Sequence, residues 1–432
     1  MANDKQGKGR QAVLLIHGIG EQKPMDTLRG FVDAVWSTDK SVHNEYGVAD
    51  VWSKPDTISE SFELRRLTTG RNRNNVRTDF FEFYWSHLMP GTELSHVVAW
   101  ARLLLLRAPW TLPPQLRGAW AVLVGLIGVI AFFAWQTVVP EAARVIQIPT
   151  WLNAVATLIT TWGALPVIKN VIGDAARYLH PAPSNIHRRQ EIRTKGVKLL
   201  QKLHEAGYER IIVAGHSLGS VIGYDILTYA WALHYRTGNS DKPHPKLDEI
   251  EQRVSRSELA DERYHAVQRD LFREFVNNGN TWRVTDFLTL GSPLAHATVL
   301  LADGEQDLRR KQSIRELPTS PPTLEKNRWF SYPHKEDQHR TPHHGAVFAP
   351  TRWTNLYFPS RFVIRGDLIG GPLAQLFGRG VRDVEVSTRL RAGFLGHTLY
   401  WSPESGEEAA SHIKALRNAL NLLDSPTPES TE

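Results

Sequence analysis

The sequence predicts an α/β protein in which helices flank a mostly parallel sheet and a two-helix transmembrane hairpin is inserted. Two kinds of segment lead to this prediction. Residues 12–16 and 211–214 are short apolar runs that end in glycine-containing turns, which is typical of buried strands in a parallel sheet. Residues 118–140 and 145–168 carry no charged side chain, and each is as long as a membrane-spanning helix.

The most informative motif is GHSLG at 215–219. It follows the strand-like run 211–214 and precedes a helix-like segment, 220–229. A tight turn between a strand and a helix exposes a serine hydroxyl at the end of a sheet, and small flanking residues let the strand and the helix pass closely. The motif therefore predicts that Ser217 is a nucleophile; the alternative is an ordinary glycine-rich turn.

A nucleophilic serine also needs backbone N–H groups aimed at the oxyanion that forms when it attacks. We assign one to Leu218, directly after the serine. We assign the second to Ile19, in the sequence HGIG (17–20) that follows the first strand-like run. Together with LGSP at 290–293, these motifs resemble the lipase-like branch of the α/β-hydrolase superfamily.

The resemblance implies a triad in the chain order Ser, Asp or Glu, His. His397 is the candidate base because it lies between a late strand-like segment, 384–387, and the last predicted helix, 407–423; the alternative is a loop histidine packed on its aromatic neighbours. His412, on that helix, is expected to face solvent. The histidines between 334 and 344 lack a regular metal-ligand spacing. We expect no metal and no organic cofactor, since the triad needs neither.

The acid of the triad has three candidates. Asp367 is the first choice because it follows a strand-like stretch, 353–358, and lies among glycines, where the resemblance places the acid. Asp383, just before the next strand-like segment, is the second candidate. Asp303, which follows the LGSP motif, is the third.

The two uncharged segments are separated only by a short linker, 141–144. Two spans joined so tightly place both soluble flanks on the same side of a bilayer. The cations outside the linker favour the cytoplasmic side for these flanks, and they are Arg102, Arg107, Arg117, Lys169 and Arg177. The alternative is an apolar helical pair buried in the core or lying over the active site.

Composition narrows the choice of partners. The chain has 432 residues, a net charge of +6 and no cysteine. We divide it into a catalytic domain (11–95 and 176–423), a membrane insert (96–175) and a disordered tail (424–432). Because the basic residues are scattered and no recognition motif appears, we expect them to form a solvated surface or to contact anionic lipid headgroups, and we expect no contact with nucleic acid. The absence of cysteine fits a cytoplasmic catalytic domain.

These observations predict a membrane-anchored serine hydrolase that cleaves acyl esters of lipid or lipid-like molecules. Ser217 attacks the acyl carbonyl, His397 moves the proton and Asp367 orients the imidazole. Two alternatives stay open: an acyltransferase with the same triad, and a catalytically silent membrane interaction module. The sequence does not distinguish ester, thioester and amide substrates, and it gives no oligomeric state.

Overall fold

The computed structural model describes residues 9–18, 23–44, 46, 49–88, 108–111, 114–140, 145, 149–158, 183–238, 244–259, 261–326, 328–332, 340–359, 366–367, 369–387, 396–402 and 410–424. The linker 141–144 and most of the second predicted span lie outside these residues.

The strands of the described residues form two sheets. They are β1 Arg10–Ile16, β2 Val51–Pro55, β3 Arg65–Arg71, β4 Arg77–Phe83, β5 Arg210–His216, β6 Val284–Leu290, β7 Ser331–Tyr332, β8 Thr341–Pro342, β9 Arg352–Tyr357 and β10 Val381–Glu385. The main sheet has eight strands in the order β10-β9-β6-β5-β1-β4-β3-β2, and β7 pairs with β8.

The main sheet is parallel from β10 to β4. Next to β4, strand β3 runs antiparallel to both of its neighbours, β4 and the edge strand β2. Every residue of β5 and β6 is buried, as expected for central strands covered on both faces. Successive residues of β1 alternate between two apolar clusters: Leu14 belongs to one and Val13 and Leu15 to the other. The predicted α/β class with a mostly parallel sheet is confirmed.

Helices supply the layers on the two faces of the sheet. The α-helices include Asp26–Val32, Pro114–Val138, Pro183–Glu205, Leu218–His234, Pro245–Ser255, Asp261–Asn277, Ala297–Leu300, Glu305–Ser313, Ala374–Phe377 and Ser411–Leu420. The first continues as a π-helical turn, Asp33–Ser37, and the 3₁₀ turns are Ser86–Leu88, Pro109–Thr111, Pro293–His296 and Gly396–Thr398. Residues 150–158 are also helical.

The predicted transmembrane hairpin is not supported. Within the described part of the chain, no helix combines the length and the apolar character needed to cross a bilayer. The first predicted span lies in helix Pro114–Val138. The described part of the second is the helix 150–158, which rises only about 14 Å against the roughly 30 Å of a hydrocarbon core. Asp424, the first residue of the predicted tail, is buried.

Candidate active site at the carboxyl edge of the sheet

Ser217 occupies the turn between β5 and helix Leu218–His234. Its backbone has φ 52° and ψ −129°, a conformation that costs a residue with a side chain about 1–3 kcal/mol. Gly215 and Gly219 make this turn fit, because a Cβ at Gly215 would meet the backbone of Ser220 and one at Gly219 would meet the carbonyl of Ile16. The strand-turn-helix prediction for this motif is confirmed.

The segment at the end of β6 holds the turn in place. The backbone N–H of Ser217 donates to the carbonyl of Leu290 at 2.9 Å, at the end of the adjacent strand β6. The hydroxyl of Ser220 donates to the Ser217 carbonyl at 2.5 Å and lies 2.6 Å from the hydroxyl of Ser292. The LGSP sequence thus contacts Ser217 through the carbonyl of Leu290 and the first turn of the helix through the hydroxyl of Ser292.

His397 and Asp367 form a hydrogen-bonded pair. Nδ1 of His397 lies 2.9 Å from Oδ2 of Asp367, and because a carboxylate only accepts, Nδ1 carries the proton. Nε2 of the same ring is buried and has no hydrogen-bond partner within the described residues. The imidazole is therefore held on one side and has an unused lone pair on the other.

Asp367 is fully buried, and burial on its own raises the pKa of a carboxyl group. His397, the backbone N–H of Gly370 and the hydroxyl of Tyr400 outweigh this effect and hold the pKa of Asp367 well below its usual range. The Tyr400 hydroxyl donates to Oδ2 at 2.8 Å, and the N–H of Ile369 donates to Oδ1 at 2.8 Å. Asp367 is thus an ionised carboxylate in the folded protein at neutral pH.

His216 connects this pair to the serine turn. Its Nε2–H donates to the carbonyl of His397 at 2.8 Å, and the two rings lie 5.0 Å apart. Burial, followed by the neighbouring His397, lowers the pKa of His216 to about 3, so its ring is neutral at pH 7. Because His216 directly precedes Ser217, this contact brings the segment of His397 to the turn that carries Ser217.

The strand β1 ends against the same turn. A Cβ at Gly18 would lie 2.8 Å from Cβ of Ser217, so Gly18, at the start of the loop after β1, lies directly against the serine. His17 fixes the start of this loop: its Nε2 accepts the backbone N–H of Trp85 at 3.2 Å, and its Nδ1–H donates to the Gly18 carbonyl at 2.8 Å. Burial lowers the pKa of His17 to about 4, consistent with this neutral tautomer.

The two predicted oxyanion donors have different outcomes. Leu218 is the first residue of its helix, so its N–H is among those that have no acceptor within the helix. Ile19 lies outside the described residues, and its assignment stays a prediction.

The structure places the other two acid candidates in different surroundings. Asp383 accepts hydrogen bonds from Asn355 at 2.7 Å and from the backbone N–H groups of Leu373 and Ala374 at 2.9 Å. Asp303, whose N–H donates to Asp307 at 3.1 Å, lies at the start of a different helix. Neither takes the place of Asp367 beside the candidate base.

The prediction for His412 is wrong. The side chain is buried, and its Nε2–H donates to the carbonyl of Ser402 at 3.1 Å while the ring packs 5.8 Å from that of Phe358. In the part of the chain that the structure describes, no group of three or more histidine, cysteine or acidic side chains could hold a metal ion.

Comparison with known proteins identifies no relative of this chain. No protein-family model, no curated protein and no solved structure matches the chain. The geometry of the carboxyl edge is therefore the basis for any functional assignment.

Proposed function

We propose that the chain is a serine hydrolase of the α/β-hydrolase type that cleaves acyl esters through Ser217, His397 and Asp367. Oγ of Ser217 attacks the acyl carbonyl while Nε2 of His397 takes the hydroxyl proton. His397 then returns this proton to the departing alcohol, and a water molecule activated by the same ring releases the acid. The N–H groups of Leu218 and Ile19 stabilise the oxyanion.

One observation carries this proposal. A serine with a strained, positive φ lies at the end of a parallel strand, and the segment of a histidine that is already paired with a buried carboxylate reaches the same turn through His216. Backbone strain of this kind persists where the surrounding structure enforces it, and it concentrates at functional sites. An ordinary glycine-rich turn needs neither the strained serine nor an ionised acid held behind an imidazole.

Labelling with a fluorophosphonate probe tests the proposal. We expect the purified full chain to react at Ser217 and to hydrolyse p-nitrophenyl esters, and Ser217→Ala to lose both properties. Ser313→Ala is the matched control, because Ser313 lies on the exposed helix Glu305–Ser313 and donates only to a local carbonyl. Unchanged labelling in Ser217→Ala, or no labelling of the native chain, would contradict a nucleophilic serine and favour the silent interaction module.

The same preparation distinguishes hydrolysis from acyl transfer. Water is the final acceptor in our proposal, so the free acid should accumulate at the same rate when a competing alcohol is added. Preferential formation of a new ester would identify an acyltransferase with the same three residues.

We also propose that the acyl ester belongs to an amphiphile at a lipid surface. Helix Pro114–Val138 and the helix 150–158 expose large apolar side chains, among them Val138, Trp135 and Trp151 at 83%, 48% and 66% exposure. Exposed apolar surface on this scale is typical of interaction sites, and tryptophan favours the membrane-water interface.

Trp135→Ala tests the lipid surface, with Trp52→Ala as its matched control. Trp52 is exposed to almost the same extent, 47%, but lies on the edge strand β2. We expect Trp135→Ala to lower hydrolysis of a vesicle-embedded ester by about tenfold and to leave hydrolysis of a soluble ester unchanged. Equal effects of the two substitutions would contradict this part of the proposal.

A further inference from the structure

The parallel strands carry a second polar cluster at their amino ends, opposite Ser217. β5 begins at Arg210, β9 begins at Arg352, and Arg382 is the second residue of β10. Ser217 follows the last residue of β5. Because a seven-residue strand spans about 20 Å, this cluster is remote from the proposed hydrolase chemistry.

A cleft of about 430 Å³ opens at this amino edge. Four arginines line it: Arg269 and Arg273 from helix Asp261–Asn277, and Arg352 and Arg382 from the sheet. Thr354, Asn418 and Asn421 add uncharged hydrogen-bonding groups to the walls. A volume of this size accommodates a small organic ligand.

The charges that line the cleft, taken together with the adjoining Arg210 and Asp424, do not balance. Asp286 lies 2.7 Å from Arg210 and 2.8 Å from Arg352, and Asp424 pairs with Arg352 at 3.0 Å and with Arg269. Asp270 is the third carboxylate, 3.5 Å from Arg273. Arg382 is exposed and makes no ion pair with a carboxylate of the described residues. Five guanidinium groups therefore meet three carboxylates, which leaves a net charge of about +2.

The pKa values of two groups in the cleft, Arg269 and His265, are lowered by burial and further by the nearby arginines. Burial, followed by the charges of Arg273 and Arg352, lowers the pKa of Arg269 to about 10. Burial is also the main cause that lowers the pKa of His265 to about 4, and Arg352 and Arg382 add to it. His265 is therefore neutral at pH 7 and contributes no charge to the cleft.

We infer that this cleft binds a small molecule that bears a phosphate monoester, at a site separate from the proposed active site. A phosphate monoester carries a charge between −1.5 and −2 at pH 7, which matches the excess of the cluster. Guanidinium groups bind phosphate oxygens through paired hydrogen bonds, and the asparagine and threonine side chains can bind the hydroxyl groups of the ester. The ligand lies far from Ser217 and is an effector or a structural ligand, not the acyl substrate.

Thermal denaturation and titration calorimetry of the full chain test this inference. The probes are inorganic phosphate, phenyl phosphate and citrate, all at one low ionic strength because salt screens such contacts. We expect phenyl phosphate to raise the melting temperature by about 3 °C at a hundred times its Kd, and to give a saturable binding curve in calorimetry. No saturable calorimetric binding of either phosphate compound, or tighter binding of citrate than of both, would overturn the inference.

Arg382→Gln provides the residue-level test. The side chain is exposed and makes no ion pair with described carboxylates, so the variant should fold normally while its Kd for phenyl phosphate weakens about tenfold. Arg256→Gln, at an exposed position after helix Pro245–Ser255, should keep the native Kd within a factor of two. Equal behaviour of the two variants would refute the site.

Two further measurements distinguish this site from the proposed active site and identify the source of the phosphate. Ser217→Ala should bind phenyl phosphate with the native Kd, so that failure of the proposed hydrolase and failure of this site are distinguishable. Vesicles that contain phosphatidic acid present the same headgroup on a lipid. Binding to these vesicles without binding to soluble esters would identify a lipid source of the phosphate, and the reverse a soluble one; both outcomes support recognition of a phosphate monoester.

Discussion

Removal of the Tyr400 hydroxyl tests how the candidate acid keeps its charge while buried. This hydroxyl donates to Asp367 at 2.8 Å and accepts the backbone N–H of Phe358 at 3.2 Å. A hydrogen bond to a charged group contributes about 1.5–3 kcal/mol to stability, and a buried N–H left without an acceptor costs about 1–3 kcal/mol. We therefore expect Tyr400→Phe to lower the free energy of unfolding by about 3 kcal/mol.

A double-mutant cycle with Asp367→Asn isolates the part that belongs to the carboxylate. The free energy of unfolding, measured in urea for the native chain, both single variants and the double variant, should give a coupling of about 1.5–3 kcal/mol. Tyr224→Phe is the matched control: Tyr224 is equally buried and donates to the carbonyl of Pro318 at 2.7 Å, a neutral bond away from Asp367. Its coupling to Asp367→Asn should be near zero.

The ester hydrolysis rates of the same variants complete the test. Tyr400→Phe leaves the bond between Asp367 and His397 in place, so kcat/KM should fall by less than about tenfold, whereas Asp367→Asn should lower it by about 10³–10⁴. A coupling below about 0.5 kcal/mol, or a larger loss of activity in Tyr400→Phe than in Asp367→Asn, would refute the role given to this hydroxyl.

Three further substitutions give direct tests. Asp383→Asn should destabilise the protein by about 1–2 kcal/mol and change kcat/KM less than threefold, because Asp383 binds backbone N–H groups away from the imidazole. Gly291→Ala should lower kcat, because its Cβ would lie 2.7 Å from Oδ2 of Asp367 and its φ is 58°. Burial raises the pKa of Glu82 to about 7, so Glu82→Gln should stabilise the protein by about 3 kcal/mol at pH 8 and change little at pH 4.

The sign of the Glu82 effect follows from proton binding. Between an unfolded pKa near 4.5 and the folded value near 7, the folded state holds a proton that the unfolded chain has lost, so native stability falls as pH rises through this window. Urea unfolding at several pH values measures it, and parallel curves for the native chain and the variant would contradict it. Esterase assays check the other two variants. A loss of kcat/KM in Asp383→Asn as large as that in Asp367→Asn would contradict the first prediction. A native kcat in Gly291→Ala would contradict the second.

The predictable part of the fold consists of strands buried on both faces. Continuous apolar runs identified β1 and β5, because a central parallel strand needs apolar side chains on both sides. β2 has no fully buried residue and β3 has an exposed arginine at each end, so both resemble loops in a single sequence. β3 is placed by pairing with β4 and β2 by pairing with β3, and local composition does not encode such pairings.

The candidate site likewise has residues that the sequence predicts and residues that it does not. Chain order and the turn motif identified Ser217 and led to the pair His397 and Asp367, which the structure places 2.9 Å apart. The role of His216 depends on ring orientation, which no spacing reveals. The error at His412 was avoidable, because His412 shares the i, i+4, i+8 face of its helix with buried Leu416 and Leu420.

Two buried aspartates, Asp286 and Asp367, differ in the groups that balance their charge. Asp286 forms ion pairs with two guanidinium groups, Arg210 and Arg352. Its negative charge is therefore already balanced by positive charge in the folded protein. Asp367 has neutral donors and His397, and no lysine or arginine of the described chain pairs with it. In the proposed mechanism, its charge is therefore available to the imidazolium that forms when Ser217 gives up its proton, and it stabilises that state more than the neutral ground state.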